Sequence, residues 1–237
     1  MMNFIPEDLK EFKDLLSPTN LACFNSTDIF KQFLGSRKQK GSPLDSQLID
    51  KLSEGLKNSD EDACRFILRF YFAQLISAEV VSIDLRRSNF IFEASHWRSL
   101  SSNTNYAFKT DFQLALTSIY KKFFHHSDES IIPDLTTLGL IQEDWQDVHK
   151  EEFEKLFFEH FYSGDVENMH FDFKQMLSSF SKIFLYLKSK KSIVPTPFAF
   201  LGLYLSTLYY TLGRLEQPIN LKAEYLFAES ACSNLSN

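Results

Sequence analysis

The stretch S-I-D-L-R-R-S-N-F-I-F, residues 82–92, sets Asp84 and Asn89 five positions apart between two apolar runs. D-x-x-x-x-N is the spacing with which phosphoryl-transfer loops pair an Asp that handles the nucleophile's proton with an Asn that holds a metal ion. Arg86 and Arg87 lie between the two, and Arg65 and Arg69 stand four apart on one face of an upstream helical segment. Guanidinium forks suit carboxylates and phosphates, so the four arginines are candidates to grip an anionic head group. Asp84, Asn89, Arg65, Arg69, Arg86 and Arg87 therefore form the candidate ligand-binding set. The same loop also reads as a plain hairpin turn carrying two arginines.

Other chemistry-bearing patterns are sparser. Two E-x-x-H triplets occur, Glu93–His96 and Glu167–His170. In four-helix di-iron proteins such triplets bring a carboxylate and an imidazole to one helix face. Here the first falls where a strand runs into a loop and the second at a helix start, so no metal ligands are assigned. His125-His126 precede Ser127 and Asp128, but adjacent side chains point different ways and no strand–turn nucleophile elbow is present. No catalytic residue is assigned. Cys23, Cys64 and Cys232 are odd in number and lack C-x-x-C spacing, which predicts buried thiols in a reducing compartment and no zinc site or disulfide frame.

The elements that must position these residues are mostly helical. Seven Gly and seven Pro are too few to punctuate an all-β chain of 237 residues, whereas 44% hydrophobic and 24% charged content suits a folded domain. Pro6 with E-D-L-K-E-F-K-D-L-L predicts a first helix, and N-S-T-D-I-F-K-Q-F-L-G a short one stopped by Gly35. Residues 35–43, with Arg37, Lys38 and Lys40, read as a basic flexible loop. Two helices follow, and the second carries Ala63, Phe66, Ile67, Phe70, Tyr71 and Leu75 close to a helical period. Residues 79–93 change to short β-branched and aromatic runs, predicting a small hairpin, and residues 94–105 read as polar loop. From residue 109 to 230 the chain reads as a Phe-rich helical core. Its last Pro-bounded helix, 197–216, is apolar around its circumference and reads as a buried central helix, since Gly202, Ser206, Thr207 and Thr211 interrupt it.

The loop and the downstream half together resemble the AarF/UbiB/ABC1 family of atypical kinase-like proteins. S-I-D-L-R-R-S-N-F-I-F is similar to that family's D-P-H-P-G-N loop, with Asp84 and Asn89 at the two matching positions. D-F-Q-L-A-L-T-S-I-Y-K-K-F-F with I-I-P-D-L-T-T-L-G-L-I resembles its helix pair, and V-P-T-P-F-A-F-L-G-L-Y-L its late Pro-led helix. The resemblance implies a nucleotide's metal at Asp84 and Asn89. No D-F-G follows Asn89, and no V-A-I-K-like strand or K-x-G-Q motif precedes the loop. What the resemblance implies is thus a degenerate, pseudokinase-like relative with weak nucleotide or isoprenoid-lipid binding.

The sequence reading is a mainly α, single-domain helical bundle with a small β-hairpin. Its function is expected to be that of a non-catalytic cytoplasmic binding or interaction protein with an apolar, aromatic-lined pocket. Its partner is a protein or an apolar anionic ligand, and no cofactor is expected. The degenerate AarF-like protein and an E-x-x-H metal-dependent oxidase are the alternatives. A net charge of -6 argues against a nucleic-acid surface, and no transmembrane segment is expected.

Overall fold

Asp45 accepts the Leu48 N–H at 2.9 Å and so opens α1 (Ser46–Leu52). Ser59 does the same for Asp62, and three acids in the first turn complete the start of α2 (Asp60–Ser77). This computed structural model describes residues 44–100, 105–161, 167–214 and 218–235. The two N-terminal helices expected from the sequence, the basic loop at 35–43 and Cys23 lie outside the described residues. Further along come α3 (Thr110–Phe124), α4 (Ile132–Thr137), α5 (Asp147–Phe161), α6 (Phe173–Ser189), α7 (Thr196–Leu212) and α8 (Leu221–Leu235). With only two small antiparallel strand pairs among the described residues, the chain is mainly α, as its sequence predicts.

The β structure departs from expectation in position. β2 (Phe90–Glu93) pairs with β3 (His96–Ser99) around a turn in which Ala94 and Ser95 have φ of 48° and 65°. Positive φ at both central residues is the turn that matches strand twist, normally supplied by Asn-Gly. The hairpin is therefore centred on residues 94–95, inside the segment read as polar loop, and not on Arg86-Arg87. Val81–Ser82, β1, pairs instead with Asn105–Tyr106, β4, and Arg87–Asn89 is a single 3₁₀ turn. What fixes the register is Trp97, which is fully buried, stacks on Phe66 and donates its indole N–H to the Lys57 carbonyl at 3.0 Å. Its polar neighbours His96 and Arg98 hide that alternation in the sequence.

Two helices occupy the centre. α7 buries Phe198, Leu201, Tyr204, Leu205 and Leu208, as its all-round apolar pattern predicts. α2 is also buried on nearly every face, including the polar Arg69 and Gln74. α8 and α3 pack along α2, α6 lies against both α5 and α7, and the buried side chains form one continuous cluster. Aromatic rings fill it in edge, tilted and stacked pairs: Phe90 against Phe66 and Phe70, Phe66 against Trp97, Tyr71 against Tyr204, and Phe198 against Phe180 and Phe184. Such contacts add about 0.5–1.5 kcal/mol per pair beyond burial. Gly139, at φ 75°, ends the α4 turn where a Cβ would stand 2.9 Å from Pro195, so only glycine fits at the entry to α7. No helix among the described residues is long and apolar enough to cross a membrane.

Leu208, 2% exposed, is expected to tolerate no charge. Leu208→Asp should abolish the cooperative thermal transition, because an unpaired buried carboxylate costs several kcal/mol, comparable to total stability. A soluble variant with unchanged melting temperature and lost binding to a partner would make α7 a docking element instead.

Candidate functional site

The D-x-x-x-x-N residues close a loop. The Asn89 side-chain amide donates to the Asp84 carbonyl at 2.9 Å, and the Asp84 carboxylate accepts a bidentate pair from Arg86, Nε at 2.8 Å and a terminal nitrogen at 2.6 Å. The Arg86 backbone N–H adds a third bond to the same carboxylate at 3.2 Å. Two threonines four apart on α7 hold the loop's backbone from below. Thr207 bridges the Leu85 N–H and the Ile83 carbonyl at 3.0 and 2.8 Å, and Thr211 donates to the Leu85 carbonyl at 3.0 Å. Burial pushes the Asp84 carboxyl up, but the hydrogen bonds and charge of Arg86 outweigh it, and its pKa falls below the usual carboxylate range. The carboxylate that a kinase-like loop offers to a metal is here held by a guanidinium.

Arg65 and Arg69 do clamp a carboxylate, as their spacing predicts, but it belongs to the chain. Glu224 of α8, 3% exposed, receives Arg65 Nε at 2.7 Å on one oxygen and Arg69 Nε at 2.5 Å on the other. Arg69 also donates to the Leu52 and Glu54 carbonyls at 2.9 and 3.2 Å, and its guanidinium lies 3.7 Å over the Phe227 ring. Arg87 donates to the Phe90 carbonyl at 2.7 Å and covers the Trp97 ring. The Arg86–Arg87 and Arg65–Arg69 pairs are thus engaged separately, each in tying elements together.

The remaining motifs do not converge. Glu93 and His96 are cross-strand partners at the exposed end of the β2–β3 hairpin, and Glu167 and His170 are exposed on either side of the Met169–Ile219 bridge. His125 meets Glu229 and His126 meets Lys222, two different residues of α8. Among the described residues, no group of three or more His, Cys, Asp or Glu is arranged to hold a metal ion. Cys64 and Cys232 are buried, and burial pushes the Cys64 thiol up to about 12 despite the opposing charge of Arg87. A thiol so held is not nucleophilic.

A groove of about 550 Å³ opens elsewhere, between the end of α3 and the middle of α5. Phe123 and Phe158 line it together with Lys122, His126, Ser127, Lys155 and Glu159. Lys122 is drawn to Asp134 at 2.9 Å and to the Ser130 carbonyl at 3.0 Å. Lys155 is exposed and has no carboxylate within ion-pair distance among the described residues. Sequence reasoning assigned these phenylalanines to the core and passed over the lysines. The signal was the repeated tetrad K-K-F-F at 121–124 and K-L-F-F at 155–158, which puts a lysine beside an aromatic ring on each wall.

Glu224→Ala is expected to lower stability by about 3–5 kcal/mol, because it strands the buried Arg69 charge, and denaturant titration measures this directly. Asp84→Ala with Asn89→Ala is expected to lower the melting temperature while leaving ligand binding unchanged. Because Asp84 is depressed in the folded state, its contribution is present above the ordinary carboxylate range and is lost as pH falls through its folded value. The stability gap between this variant and wild type should therefore narrow in acid. Magnesium-dependent nucleotide binding abolished in the double variant would restore the phosphate-chemistry reading of the loop. Neither any protein-family model nor any curated protein matches this chain.

Proposed function

We propose that this chain is a non-catalytic binding protein that takes a small amphipathic anion in the groove between α3 and α5. The observation that carries the reading is Lys155, a lysine with no carboxylate within ion-pair distance among the described residues, in a groove also lined by Phe123 and Phe158. An apolar ligand body would displace water from the two rings, and the ammonium would meet its carboxylate or phosphate. A non-catalytic role is supported by where the chemistry-bearing side chains are spent. Asp84 is held by Arg86, Asn89 is turned to the Asp84 backbone carbonyl, and Arg69 is directed at Glu224 and backbone carbonyls. A cytoplasmic location belongs to the same proposal and is supported by a cysteine set that is odd in number and lacks C-x-x-C spacing.

Calorimetric titration with dodecanoate and with dodecanol tests the reading. Wild type is expected to bind the carboxylate more tightly than the alcohol. Lys155→Glu should weaken dodecanoate binding by about tenfold, in line with ~1–2 kcal/mol for a charge pair at a partly screened rim, with no change in melting temperature. Equal affinities of wild type and Lys155→Glu for dodecanoate would remove the groove from consideration.

A further inference from the structure

The charge of the chain is unevenly distributed. Against a net charge of -6, residues 173–214 contain no Asp or Glu and carry Lys174, Lys182, Lys188, Lys190, Lys191 and Arg214. These residues are α6, α7 and the turn between them. On α6, Lys174, Ser178, Lys182, Leu185 and Ser189 recur at three- and four-residue spacing and are all exposed, so they form one outward stripe. The stripe runs into the turn, where Lys188 and Lys191 are exposed and Ile193 is 71% exposed. Leu185, in the middle of the lysines, is 56% exposed. Among the described residues, no carboxylate lies within ion-pair distance of Lys182, Lys188, Lys190 or Lys191.

The turn is held in shape. The Ser192 N–H bonds the Leu187 carbonyl and the Lys191 N–H the Lys188 carbonyl, both at 3.0 Å, the pair of bonds that closes a helix through a left-handed residue. That residue is Lys191, at φ 58°, where glycine is ordinary. Cations at a helix C-terminus complement its dipole, which accounts for Lys188 and Lys190. It does not account for Lys182 two turns earlier, or for two bare aliphatic side chains among the charges.

We propose that the outer stripe of α6 and the α6–α7 turn dock on an anionic lipid surface, with the lysines at the headgroups and Leu185 and Ile193 entering the acyl boundary. This site is separate from the α3–α5 groove. A membrane fits better than an acidic protein or a nucleic acid for two reasons. Compact, flexible ammonium groups suit a fluid layer of headgroups, where fixed bidentate recognition would call for arginine. Exposed aliphatic side chains gain only where an apolar phase lies directly beneath the negative charge.

Co-sedimentation of the full chain with phosphatidylcholine vesicles, with and without phosphatidylserine, tests this. Wild type is expected to partition onto the phosphatidylserine vesicles only, and to be released by salt. Each lysine near the surface contributes about fivefold to partitioning, so Lys188→Glu with Lys191→Glu should weaken it by roughly twentyfold or more. Ile193→Ser should weaken it about tenfold without altering its salt dependence. All three positions are exposed, and unchanged melting temperatures of the variants check that the fold is intact. Equal binding to neutral vesicles, or none to either, would overturn the proposal. So would release by polyglutamate or an oligonucleotide combined with no effect of Ile193→Ser, which would assign the stripe to an acidic macromolecule.

Discussion

Arg69 is a permanent charge at 4% exposure on a helix with almost no solvent-facing side, and much of the architecture follows from it. A buried guanidinium is tolerable only when a counter-charge and several acceptors surround it. Burial depresses the Arg69 pKa, and the adjoining Glu224 carboxylate offsets that only in part. The acceptors come from three places at once: Glu224 on α8, and the Leu52 and Glu54 carbonyls at the end of α1. One side chain therefore fixes how α8 covers α2 and where the chain turns between α1 and α2. Phe227 closes the cluster from the α8 side.

A neutral counterpart runs through the other half of α2. Gln74 donates to the Tyr204 hydroxyl at 2.6 Å and accepts the Ser82 N–H at 2.6 Å, while Tyr71 and Tyr120 share a bond at 2.6 Å. Burial holds the Tyr71 and Tyr204 phenols well above their ordinary pKa, so they stay neutral and available as hydrogen-bond partners. The chain links α2, α3, α7 and β1 without introducing an uncompensated charge. It also explains the threonines of α7. With β1 drawn toward Gln74, the loop that follows it lies across α7, and Thr207 and Thr211 satisfy backbone groups that would otherwise be buried without partners. Asp84 and Asn89 complete that loop from the outside.

Arg69, Gln74 and the loop backbone at 83–85 are thus matched inside the protein, and the surface is organised differently. Its charge is sorted by element: α5 is rich in Glu and α6 and α7 carry none, with Asp172 capping the start of α6 and Glu152 of α5 meeting the Tyr186 hydroxyl at 3.0 Å. The groove and the lysine stripe thus lie on different elements and differ in chemical character, one a recess lined by aromatic rings and lysines between α3 and α5, the other an exposed basic stripe on α6.

Among the described residues, the helices and the burial of α7 are legible in the sequence alone. Caps such as Ser59, the few glycines and an apolar residue on every face of 197–212 act locally, and locality is what a sequence pattern records. The sequence marks Arg65 and Arg69 as a pair on one helix face suited to an anionic group, and in the fold they hold a carboxylate of the chain itself. Which carboxylate was decided by tertiary structure, because Glu224 lies 159 residues away and nothing near it in sequence marks it as buried. The same holds for Asp84, whose neighbour Arg86 folds back on it only because α7 fixes the loop's backbone. The hairpin was misplaced for a related reason. Strand pairing is a non-local choice, and here it is made by the burial of Trp97 against α2, which outweighs the polar residues on either side of it.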